Sequence, residues 1–114
     1  MFFKRSLLAL ALIVAVANAF NGTANLGFYD VNNCFCPPFN GPFAIAIPST
    51  LARSATCCND QITLSYLGQT TTAVFSGFYD AGEAEDIALS PNAFAALASF
   101  PWETALTPVS WSFL

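Results

Sequence analysis

Leu89-Ser90-Pro91-Asn92-Ala93-Phe94 and, at the end of the chain, Val109-Ser110-Trp111-Ser112-Phe113 decide how this sequence of 114 residues is read. In the first stretch a brief apolar strand, Ile87-Ala88-Leu89, runs into a serine at an N-cap, a proline at the first helical position and good helix formers from Ala93 to Leu97. This predicts one short helix directly after a strand. In the second stretch apolar residues alternate with serine, which places Val109, Trp111 and Phe113 on one face of a strand and predicts Trp111 in the core.

The rest of the chain repeats the strand pattern. Thr23 to Tyr29 is an expected first strand, and Phe43 to Ile47 is an apolar run stopped by Pro48. Gln61 to Tyr66 alternates with period two, and Leu67-Gly68-Gln69 leads into a β-branched stretch over Thr70–Phe75, so the two read as a hairpin. Loops are expected over Asn32–Pro42, Ser49–Asn59 and Ser76–Asp86, where Gly, Pro, Asn, Asp and Glu collect. About six short strands and one helix make a mostly β domain, and so small a sheet hides its edges best by closing into a barrel.

The N-terminus has the charged, apolar and small-residue parts of a secretory signal: Lys4-Arg5, then Leu7 to Ala17, then Ala17-Asn18-Ala19. The apolar run falls short of the roughly 20 residues that span a bilayer. The expected layout is therefore a signal peptide over 1–19 and one domain over 20–114, delivered to the extracellular space. In that domain Arg53 is the only basic residue against Asp30, Asp60, Asp80, Glu83, Glu85, Asp86 and Glu103. Such a charge balance disfavours nucleic acid and anionic lipid as partners, so no membrane association is expected after cleavage. The chain has no histidine, which excludes Ser-His, Cys-His and histidine-zinc chemistry.

Cys34, Cys36, Cys57 and Cys58 are even in number and predict two disulfides, each joining one residue of the first pair to one of the second, in either of two connectivities. Their spacing does not suit a zinc knuckle. Asn21-Gly22-Thr23 is an N-glycosylation acceptor at Asn21. Glu83, Glu85 and Asp86 lack the alternate spacing of a calcium loop and read as a solvated acidic segment. No metal or cofactor is expected, and Phe100-Pro101-Trp102 reads as a structural turn.

The order Gly22-Thr23-Ala24 with Phe28-Tyr29-Asp30, Ala44-Ile45-Ala46-Ile47, Ile62-Thr63-Leu64, Leu89 to Phe94 and Val109 to Phe113 resembles the double-psi β-barrel family. That family includes rare-lipoprotein-A-like proteins, the first domain of expansins, barwin and, more distantly, cerato-platanins. The resemblance implies a six-stranded barrel with an open groove, in a small secreted protein of fungal type. In relatives the groove binds cell-wall polysaccharide or cleaves glycan. It further implies three converging groove positions: a threonine or similar residue on the first strand, an aspartate ending the fourth, and an aspartate before the L-S-P segment. Here these fall at or near Asn25, at Ser76 or Gly77, and at Ala88. None is acidic, and protonating a glycosidic oxygen needs a carboxyl group. No catalytic residue is therefore assigned, although strand alternation would let Asp86 share the facing of Ala88. The C-x-x-C that fungal members often carry after strand four is missing, which leaves the Gly77–Glu85 loop free to vary its conformation.

Two triplets, Phe28-Tyr29-Asp30 and Phe78-Tyr79-Asp80, each follow a glycine at a strand mouth. Rings can stack on a sugar face while carboxylates accept hydroxyl bonds. The expected ligand-binding set is Asn25, Tyr29, Asp30, Phe78, Tyr79, Asp80 and Asp86. Tyr79 leads it, because the resemblance places a tyrosine near that point of expansin grooves. The reading is a monomeric, non-catalytic barrel that binds cell-wall polysaccharide. The alternative is a protein-interaction module, an inhibitor or effector, using the 32–42 and 77–85 loops.

Overall fold

The computed structural model describes residues 19–36, 42–52 and 54–114. The expected signal segment, apart from Ala19, the stretch 37–41 and Arg53 lie outside the described residues. The elements are β1 (Phe20–Leu26), β2 (Val31–Asn33), β3 (Ala44–Ile47), α1 (Ser49–Ala52), β4 (Gln61–Tyr66), β5 (Gln69–Tyr79), β6 (Ile87–Leu89), α2 (Pro91–Leu97) and β7 (Ala105–Phe113). Six strands close in the order β5-β3-β6-β1-β7-β4 and back to β5. The β1–β6 and β3–β5 pairs are parallel and the other pairings antiparallel. Closure leaves these six strands no free edge.

Alternation builds the interior. Ile45, Ile47, Ile62, Leu64, Phe75, Ile87, Leu89, Leu106, Val109 and Trp111 are buried in one cluster, which supplies most of the apolar burial that stabilises the barrel. Trp111 is 1% exposed, as its alternating strand predicts. Its ring packs on Phe20 with centroids 4.5 Å apart, and its Nε1 donates to the Glu85 carbonyl at 3.0 Å, so the one polar atom of the ring is satisfied. Helix α2 buries Ala93, Phe94 and Leu97.

Several local expectations are corrected. The first strand starts at Phe20 and ends at Leu26, because Gly27 takes a left-handed φ of 91° and turns the chain. Strand β5 does not stop at Phe75 but runs through the predicted loop to Tyr79. A bulge makes this possible: Ile45 pairs with Phe75 and Ala46 with Gly77, so Ser76 is the extra residue. Gly77 then meets the short strand β2, itself unforeseen in a loop. A side chain at 77 would lie 2.6 Å from Val31 Cγ1. Helix α1 likewise occupies part of the predicted Ser49–Asn59 connection. Ser90 stands at the N-cap of α2 but makes no capping bond. Its hydroxyl instead donates to the Pro42 carbonyl and accepts from the Ala44 amide, tying the helix start to the entrance of β3.

The disulfide connectivity is Cys34–Cys57 and Cys36–Cys58. The bridges join the segment after β2 to the one before β4. Closing a loop of this length removes about 3 kcal/mol of unfolded-chain freedom. The second, parallel bridge adds less, since the loop it closes is already short.

Candidate binding groove

The bulge at Ser76 decides which way the end of β5 faces. After it, Phe78 turns inward, packing edge-on against Phe75 with centroids 5.4 Å apart, and Tyr79 turns outward. Across the sheet, Asn25 pairs with Ala88, Ala88 with Ala46, and Ala46 with Gly77. Ala46 and Ala88 are fully buried yet outside the inner cluster, which takes their neighbours Ile45, Ile47, Ile87 and Leu89. They form a small-residue floor on the outer face.

Over that floor the Asn25 Nδ2 donates to the Tyr79 hydroxyl at 3.2 Å and to the Ile87 carbonyl at 3.3 Å. Strands β1 and β5 are three steps apart at about 4.8 Å each. The two side chains therefore meet only by lying along the sheet across β6 and β3, and alanine at 88 and 46 permits this. A longer side chain at 88 would displace the link.

The carboxylates around Tyr79 are engaged with main chain. Asp86 Oδ1 accepts from the Thr23 amide at 2.8 Å and Oδ2 from the Glu83 amide at 2.9 Å. Glu85 Oε1 accepts from the Asn21 amide at 2.7 Å. Gly22 has no room for a side chain because the Glu85 carbonyl lies against it. The loop expected to be free of restraint is thus stapled to β1 by carboxylate–amide bonds. Gly82 lies against both the Tyr79 ring and Asp86.

The structure brings Asn25, Tyr79, Asp86 and Asp30 together, the last because Val31 pairs with Tyr79. Tyr29 is 92% exposed on the turn after Gly27, over which its ring folds back. Two members of the expected set are placed elsewhere. Phe78 is half-buried and packs against the core, and Asp80 Oδ1 accepts from the Ser49 amide at 2.8 Å, holding the start of α1. Asn21 is exposed on β1. The sequence reading missed Phe35, 87% exposed between the two bridged cysteines, and took for a structural turn the segment that carries the exposed rings of Phe100 and Trp102. An aromatic-proline-aromatic triplet flanked by Ser99 and Glu103 is the signal that marked the latter. A concavity of about 320 Å³ lined by Ala52, Asp60, Gln61 and Phe113 lies apart from these groups and gathers no cluster of ionisable side chains.

No protein-family model and no curated protein sequence matches the chain, but solved structures share its fold. The Streptomyces papain inhibitor superposes with a TM-score of 0.64 at 18% identity, over 84% of this chain and 94% of that one. The apo expansin of Clavibacter michiganensis gives 0.64 at 19% identity, over 84% of this chain and 50% of the expansin. A mutant of that expansin in complex with cellohexaose gives 0.62 at 18% identity, with the same coverage. The chain folds as a double-psi β-barrel.

In this double-psi barrel the position before the L-S-P segment is Ala88, beneath the Asn25–Tyr79 link, and the strand-four position falls at the buried bulge residue Ser76 or at Gly77. Ser76 Oγ donates to the Val74 carbonyl at 2.8 Å. The Tyr79 phenol is raised above its ordinary value of 10.0, first by burial and then by the charges of Asp86 and Asp30. It is therefore neutral, and a hydrogen-bond donor, through the neutral pH range. Replacing Asp86 by Asn removes one of these charges and should lower the Tyr79 midpoint in an alkaline titration of tyrosinate absorbance, with Tyr79→Phe identifying the signal. An unchanged midpoint would separate Asp86 from Tyr79.

Proposed function

We propose that this barrel is a secreted, monomeric and non-catalytic protein that binds cell-wall polysaccharide along the groove of Asn25, Tyr29, Asp30, Tyr79 and Asp86. The observation that carries the reading is the Asn25–Tyr79 link over Ala88. It fills the place where relatives hold an acid and leaves a neutral aromatic hydroxyl beside carboxylates and the exposed Tyr29. A ring face and hydrogen-bonding groups suit a sugar, whereas Asn25, Ala88 and Ser76 or Gly77, at the positions where relatives hold their groove residues, offer no carboxyl group to protonate a leaving oxygen. The cellohexaose complex of the structurally similar expansin supports the ligand class. Two disulfides and the signal-like N-terminus support export to an oxidising space, and Asn21 is exposed, as a glycosylation acceptor must be. The protein should be retained on insoluble cellulose, chitin or β-glucan without releasing soluble fragments, and Tyr79→Ala should weaken retention about tenfold, the loss of one binding anchor. Failure to be retained on all three polymers rejects the reading, and release of reducing sugar rejects its non-catalytic half.

One observation favours a second reading, a protein partner. Phe35 is 87% exposed at a φ of 53° between Cys34 and Cys36, its amide donating to Asn33 Oδ1 at 2.7 Å. A non-glycine residue held there costs on the order of 1–3 kcal/mol, and the exposed ring returns little packing. Rigidly presented aromatics are typical anchors of protein interfaces. The name of the Streptomyces papain inhibitor supplies the probe. On this reading papain hydrolysis of a fluorogenic peptide is inhibited, and Phe35→Ala weakens inhibition about tenfold; full papain activity in excess wild-type protein would discard it.

A further inference from the structure

The loop between α2 and β7 carries Phe100 and Trp102, whose rings stack with centroids 4.8 Å apart at 14°. Phe100 is the inner ring, 52% exposed, lining an apolar depression with Leu26, Phe94 and Ala98. Trp102, 73% exposed, is the outer ring. The loop is rigidly held: Glu103 Oε1 accepts from the Ser99 and Phe100 amides, both at 2.9 Å, and the Glu103 amide donates to the Phe100 carbonyl at 3.3 Å. Residues 98–104 carry no basic side chain to draw an anionic ligand, and Glu103 is turned to the backbone, so the two rings are the surface a ligand meets. The predicted structural turn is thus held in place, yet it leaves a tryptophan on the surface. An exposed indole adds little to folding, whereas a flat ring fixed in position loses little freedom when a ligand covers it.

The backbone joins this platform to the groove. Asn25, which holds Tyr79, is followed by Leu26, whose amide donates to the Thr104 carbonyl at 3.0 Å, and by Gly27, over which the Tyr29 ring folds. Asn25 itself pairs with Ala105. Three consecutive residues of the β1 end therefore connect Tyr79, the Trp102 loop and Tyr29. A single exposed ring holds one sugar weakly, and a polymer gains affinity when linked units engage successive platforms.

We propose that Phe100 and Trp102 form a second sugar-stacking platform, which takes another unit of the same uncharged β-linked polysaccharide proposed for the Tyr79 groove. Trp102 presents its ring face to the apolar C–H face of the sugar, and Phe100 supports it from behind. The inference rests on the polysaccharide reading and adds a site to it.

Acrylamide quenching of tryptophan fluorescence tests it, because Trp111 is 1% exposed and Trp102 is the ring that a quencher reaches. The probes are cellohexaose, chitohexaose and laminarihexaose, with retention on the parent polymers measured in parallel. The expected result is that a bound hexasaccharide shields Trp102. Trp102→Ala should weaken retention about tenfold without changing the melting temperature, and Trp102→Tyr, which keeps a stacking face, should restore most of it. Retention that Tyr79→Ala weakens while Trp102→Ala leaves it unchanged, or quenching unaltered at saturating sugar, overturns the second platform alone. Absence of wild-type retention and of sugar binding overturns the polysaccharide reading, and this inference with it.

Discussion

The hydrogen bond from Asn25 to the Tyr79 hydroxyl sets the character of the groove, because it requires everything beneath it to be small. Its two residues stand on strands separated by β6 and β3, and small side chains at 88 and 46 leave room for theirs to lie along the sheet. The same requirement reaches back to Ser76, whose bulge rotates the end of β5 so that Phe78 enters the core and Tyr79 leaves it. Without that extra residue the alternation would place Tyr79 inside and phenylalanine over the floor. One irregular residue thus sets which side chain at the end of β5 joins the candidate site on the outer face.

Charge in this domain serves the backbone. Asp80, Glu85, Asp86 and Glu103 each accept from main-chain amides of other segments or of their own turn. With one basic residue in the expected mature chain, ion pairing contributes little to the fold, and carboxylate–amide bonds take over the restraint of loops. On the side after β2 the two disulfides do the same work. The groove therefore lies between segments fixed at both ends, a condition under which binding costs little ordering.

The closed barrel, the helix after L-S-P and the core position of Trp111 were legible because period-two alternation and a Ser-Pro start signal burial and helix geometry directly. The length of β5 was not, since Ser76-Gly77 reads as loop chemistry and its strand character comes from pairing with β2 and β3, which no local pattern encodes. The proximity of Asn25, Tyr79 and Asp86 was legible through the family resemblance and the alternation. That Asp80 would hold α1 and Phe78 would turn inward depended on the bulge and on a helix of four residues, features too short to leave a periodic signal. Phe35 escaped notice, and Phe100 and Trp102 were read as a structural turn, for a related reason: hydrophobicity alone does not distinguish a ring in the core from one held outside it.

The central claim is that this groove receives a sugar polymer and leaves it unchanged. Titrating an isotopically labelled protein with a β-linked hexasaccharide, while following amide and Asn side-chain resonances together with the reducing ends of the sugar, tests it most directly. The account predicts saturable shifts at the Asn25 side-chain amide and the backbone of Tyr79 and Asp86, with no new reducing ends over days. Shifts that bypass these residues, or a steady growth of reducing ends, would contradict it.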